Sequence, residues 1–82
     1  MHDLLIELAV PSLHEIYDVT IPAATQVHIV LSLLVQAVQK LSDERFQAVE
    51  PVLCDSGSGS ILPVNQTPEQ LGLQNGARLL LI

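Results

Sequence analysis

The chain has 82 residues, 49% of them hydrophobic but only Tyr17 and Phe46 aromatic. One domain with an aliphatic core is expected, burying about 60% of the surface its unfolded chain exposes. Nine acidic against three basic residues give a formal net charge of −6. That excludes nucleic acid and anionic lipid as ligands, since both are held by Lys and Arg on phosphate and three cations make no basic stripe. The single cysteine, Cys54, builds no disulfide framework and suits a reducing cytosol. No signal peptide is expected from the Met-His-Asp start, nor membrane insertion from apolar stretches broken by His28, Ser32, Gln36 and Gln39.

Asp3 to Val10 alternates, with Leu4, Ile6 and Leu8 on one face and Leu5, Glu7 and Ala9 on the other. That is the period of a half-buried strand, with Leu5 as the misfit on the outer side. Pro11-Ser12 supplies a turn, and Glu15 to Ile21 alternates again, Tyr17, Val19 and Ile21 against Ile16, Asp18 and Thr20, completing a hairpin. Pro22 ends the second strand and Thr25 is the expected N-cap of a helix from Gln26 to about Leu41. Val27, Val30, Leu31, Leu34, Val38 and Leu41 share one helical face, and Ile29 and Leu33 lie on the opposite one.

Ser42-Asp43-Glu44 closes the helix, and a third strand is expected over Val49 to Cys54, made irregular by Pro51. The Gly- and Ser-containing run from Asp55 to Ser60 reads as a hairpin loop before a short strand from Ile61 to Val64. Thr67-Pro68-Glu69-Gln70 has the residues of a capping box, opening a helical turn that Gly72 ends. Asn75-Gly76 then turns the chain into a last strand of near-continuous aliphatics. The order is α+β, one main helix covering one face of a mixed four- to five-stranded sheet.

That order, with the closing Gly72-Leu73-Gln74-Asn75-Gly76-Ala77-Arg78-Leu79 and a helix opening on Val27-His28-Ile29-Val30-Leu31, resembles the ubiquitin-like β-grasp proteins. Within them it is similar to the YukD/EsaB family of bacterial type VII (ESX) secretion systems. The resemblance spans residues 1–82 as a single ubiquitin-like domain, although Ala77 stands where relatives often carry Asp. It implies a last strand running parallel beside the first, and a cytoplasmic accessory or regulatory component whose partners are cytosolic domains of secretion components or regulators. Two alternatives stay open: a ubiquitin-like cytosolic domain excised from a larger secretion-system membrane protein, and a β-grasp adaptor unrelated to secretion.

Neither catalysis nor a cofactor is expected. His2, His14 and His28 have no close-spaced ligand pair, so no metal site is read from them. Cys54 reads as a small core residue, because no base or oxyanion site accompanies it. C-terminal conjugation needs an extended tail ending in Gly-Gly, and the branched, apolar Ile82 stands there instead. The chemistry that remains is contact. If Leu79 and Leu81 face the helix, strand parity sends Leu80 and Ile82 to the open face of the sheet, where Leu5 is expected to join them as a protein-interaction patch. Ile29 and Leu33 are a second candidate surface. A homodimer is left open.

Overall fold

The computed structural model describes residues 3–82. Strands β1 (Asp3–Val10) and β2 (Glu15–Pro22) form an antiparallel hairpin, followed by helix α1 (Val27–Leu41) and strands β3 (Leu53–Asp55) and β4 (Arg78–Leu81). The sheet has four strands in the order β2-β1-β4-β3. β1 and β4 run parallel at its centre, and β3 closes antiparallel on β4.

The alternation of β1 is obeyed: Ile6, Leu8 and Val10 are buried and Leu4 is partly so, while Leu5, Glu7 and Ala9 turn outward. Ile6, Leu8, Ile21, Leu79 and Leu81 meet Val27, Val30, Leu34 and Val38 of α1 in one core, to which Phe46, Leu53 and Leu62 add cover. Leu41 is not part of it. At 58% exposure it falls beyond the last turn that reaches the sheet.

The N-terminus of α1 departs from the expected one. Gln26, not Thr25, is the capping residue, and no side chain caps the helix. Instead the Val27 and His28 N–H groups donate to the carbonyls of Gln66 and Val64, at 2.8 and 3.0 Å. A distant loop thus satisfies donors that a Thr side chain would otherwise serve. Gln26 Nε2 ties the same loop through the Asn65 carbonyl.

The helix ends in a Schellman arrangement, with Glu44 N–H on the Gln39 carbonyl and Asp43 N–H on that of Lys40. Asp43 and Glu44 have φ of 58° and 62°, in the left-handed region where a Cβ is costly. Asp43 also places an anion at the negative end of the helix dipole. Asp43→Gly is therefore expected to stabilise the protein by about 0.5 to 1 kcal/mol, read as a higher urea midpoint with an unchanged slope.

The third strand is shorter than expected. Only Leu53–Asp55 is strand, and Val49 is almost fully exposed. Pro51 has no N–H to give a ladder, although Val52 next to it exchanges both hydrogen bonds with Ile82 at 3.0 Å. The segment expected as a strand from Ile61 to Val64 is reduced to a single bridge between Ile61 and Cys54. Proline at 63 removes the next donor there.

The capping box at Thr67 forms as its residues require: Thr67 N–H donates to Gln70 Oε1 at 2.9 Å, and Gln70 N–H donates to Thr67 Oγ1 at 3.1 Å. Gly72, with φ of 74°, ends that turn. The Asn75-Gly76 turn does more than reverse the chain. Asn75 Oδ1 accepts the Leu5 N–H at 2.8 Å and the Gly76 N–H donates to the Leu5 carbonyl at 2.8 Å, so the turn is fastened to β1 before β4 begins.

Candidate functional site

Strand pairing fixes what the open face of the sheet displays, because directly paired residues project to the same side. Ala9 pairs with Ile16 of β2 and with Leu80 of β4, Leu80 pairs with Cys54 of β3, and Cys54 bridges to Ile61. The result is one apolar row, Ile16–Ala9–Leu80–Cys54–Ile61, crossing every strand on the side away from α1. Five positions at strand spacing make it about 19 Å long. Its ends stand proud: Ile16 is 63% and Ile61 65% exposed, Ala9 and Leu80 are half-buried, and Cys54 is a free thiol buried among them. Ile82, 58% exposed, continues the apolar surface one row on, beside Val52.

On the other side the row has a polar border. Asp18 pairs with Glu7, which pairs with Arg78. Arg78 Nε lies 3.1 Å from Glu7 Oε2, and Ser56 donates its N–H to the Arg78 carbonyl at 3.0 Å. No cation reaches ion-pair distance of Asp18 among the described residues.

This register divides the expected patch. Leu80 and Ile82 do share the open face, as strand parity requires, and Leu5 shares it too, 53% exposed. Leu5 nonetheless stands four residues before Ala9 on β1, about 13 Å along the strand from Leu80's neighbour, beside Thr20 and the Asn75-Gly76 turn. The Glu7–Arg78 ion pair lies between. Sequence reading missed Ile16 and Ile61 as members of the surface. The alternation of β2 had already put Ile16 with Asp18 and Thr20, so its signal was present; the cross-strand register was what was wanting.

Ile29 and Leu33, 45% and 47% exposed, lie on the outer side of α1, across the molecule from the open face. Where α1 meets the loop before β3, Val27, Leu31, Val52, Leu62 and Val64 line a small apolar cavity of about 120 Å³, with Ile61 at its rim. Cys54 is buried as expected, but on the Leu80 side of the sheet, outside the main core.

His14 sits in a left-handed turn after Pro11–Leu13, and His28 Nε2 contacts Gln26 Oε1 at 2.8 Å; His2 lies outside the described residues. Among the described residues no three of His, Cys, Asp and Glu converge as a metal cluster, and no helix is long and apolar enough to cross a membrane.

A mixed sheet in the order β2-β1-β4-β3 over one helix, with first and last strands parallel at its centre, is the ubiquitin-like β-grasp fold. The chain is similar over its whole length to the ubiquitin-like domain of the type VII secretion protein ECCD1 of Mycobacterium tuberculosis, at 16% identity, 99% coverage of that chain and a TM-score of 0.80. It is similar as well to the EccD5 ubiquitin-like domain of Mycobacterium xenopi, at 16% identity, 100% coverage of this chain and 94% of that one, with a TM-score of 0.74. In sequence, residues 5–81 match the model of the YukD protein of the WXG100 protein secretion system (Wss), and the chain belongs to the YukD family. It also aligns with 21% of a chain of the MycP5-free ESX-5 inner membrane complex, covering 100% of its own length at 15% identity and a TM-score of 0.74. No curated protein matches it in sequence.

Proposed function

We propose that the chain is a non-catalytic ubiquitin-like component of type VII secretion that works in the cytoplasm by docking its open sheet face on another protein of the secretion machinery. The observation that carries this reading is the apolar row from Ile16 to Ile61. Isolated exposed aliphatics are ordinary on a soluble domain; aliphatics aligned across the strands, exposed at Ile16 and Ile61 and half-buried at Ala9 and Leu80, support a contact surface. Burying Ile16, Leu80, Ile61 and Ile82 contributes on the order of 4 to 8 kcal/mol before association costs, enough for a moderate contact. Membership of the YukD family supports the setting, and the ESX-5 inner membrane complex that holds a similar domain supports partners among secretion components.

The test is affinity capture from native cells with the wild type and with an Ile16→Asp/Leu80→Asp variant whose folding is verified by circular dichroism. Secretion-system proteins should be recovered by the wild type and reduced at least tenfold by the variant. Equal recovery by the folded variant would remove the open face from the reading, and recovery of no secretion protein by either would remove the secretion partner.

A further inference from the structure

We infer that the occupant of the open face is a cationic amphipathic helix of another protein, aliphatic along one side and carrying Lys or Arg on the flank that lies over Asp18. The inference rests on the open-face reading above and adds the chemistry of the partner. Two observations point to it.

The first is where the row lies. It crosses the face of the sheet, where β1 and β4 have spent their main-chain groups on neighbouring strands and offer side chains alone. A segment settling there must satisfy its own N–H and C=O groups, which a helix does and an extended peptide does not. About 19 Å of row corresponds to about thirteen helical residues, or three to four turns.

The second is charge. The border of the row is Asp18–Glu7–Arg78, in which Glu7 and Arg78 offset one another at 3.1 Å and, among the described residues, Asp18 has no cation at ion-pair distance. Of the three cations in the chain, Arg45 is likewise engaged, with Glu15 at 3.7 Å. A second copy of the chain would bring its own net charge of −6 and the same acidic border, so electrostatics select against self-association and for a basic partner.

A displayed library of eighteen-residue Ala-based helices tests this, with Leu fixed at i, i+3, i+4, i+7 and i+11 and the flanking positions randomised among Lys, Gln and Glu. Selection on the whole chain should enrich Lys on one flank. The selected peptides should lose about tenfold in affinity against Asp18→Lys, and about tenfold between 50 and 300 mM salt. They should also fail to bind Leu80→Asp, although that variant is more acidic; this separates docking on the row from general attraction to an anionic protein. Enriched helices with Glu or Gln flanks that still lose binding to Ile16→Asp/Leu80→Asp would overturn the cationic partner while leaving the open face as the docking surface. Helices indifferent to that double variant, or no enrichment over it, would overturn both. A dimer by sedimentation that Leu80→Asp dissociates would give the face to a second copy and overturn the inference.

Discussion

Leu79→Ala is expected to remove about 3 to 4 kcal/mol of stability, the cost of a fully buried Leu whose site cannot collapse around the loss. Leu79 is 0% exposed and pairs directly with Leu8, also 0% exposed, at the point where the parallel strands face α1. A domain of this length has on the order of 4 to 12 kcal/mol in total, so the variant would forfeit about a quarter or more of it. The melting temperature should fall by roughly 12 to 25 °C, and urea unfolding should show a lower midpoint with an unchanged slope. Leu80→Ala is the matched control. The same deletion one residue along, on the half-buried open face, is expected to cost about 1 kcal/mol or less. Equal losses for the two would refute the division of β4 into a core side and a surface side.

Gly76→Ala is expected to cost about 1 to 2 kcal/mol for a reason that has nothing to do with space. An added Cβ would meet nothing within 4 Å, yet the residue holds φ of 87°, where an L side chain is strained. Its N–H holds the Leu5 carbonyl at 2.8 Å, so relaxing the backbone would loosen the fastening of the turn to β1. The chain is short enough for chemical synthesis, which allows a sharper comparison. D-Ala at position 76 should restore wild-type stability or exceed it, because it favours positive φ and restricts the unfolded chain. If L-Ala and D-Ala destabilise equally, the conformational argument fails. Gly57, whose φ is not in that region, should accept Ala with little effect.

What could be read from the residues alone follows the range of the forces involved. The hairpin, the single long helix, the Thr67 box and the Asn75-Gly76 turn are each settled by contacts within a few residues, and all four form. The parity of Leu79, Leu80 and Leu81 is likewise local, and burial of the outer two with the middle one left half-exposed follows it. What escaped depends on partners far away in sequence. Thr25 loses the capping role because the carbonyls of Gln66 and Val64 take the first N–H groups of the helix. Val49 to Pro51 stay outside the third strand because pairing reaches only to Val52, bonded to Ile82, and Pro51 has no N–H to extend it.

The candidate surface shows the same limit. Strand alternation placed Leu5, Leu80 and Ile82 on one side of the sheet without saying how far apart they stand. That distance is set by the stagger of β1 against β4, which pairs Ala9 rather than Leu5 with Leu80. A parallel pair has no tight turn to fix its stagger. Here the Asn75 side chain and Gly76, docked on Leu5, do that instead, and only the folded chain displays it. The same stagger draws in Ile16 and Ile61.

The contact between Leu5 and Asn75 joins residues seventy positions apart, and the sheet's central seam depends on a segment made long after the strand it pairs with. The hairpin and α1 can assemble during synthesis, but one edge of β1 stays open, its Ile6 and Leu8 side chains without their β4 neighbours, until residues 78–81 emerge. Among the described residues β3 pairs with β4 and, through one bridge, with Ile61. Closure of such distant segments is slow and leaves an unpaired strand edge exposed for the interval. The chain is thus most prone to aggregate while that edge stands open, and removal of 78–81 would open the sheet at its middle.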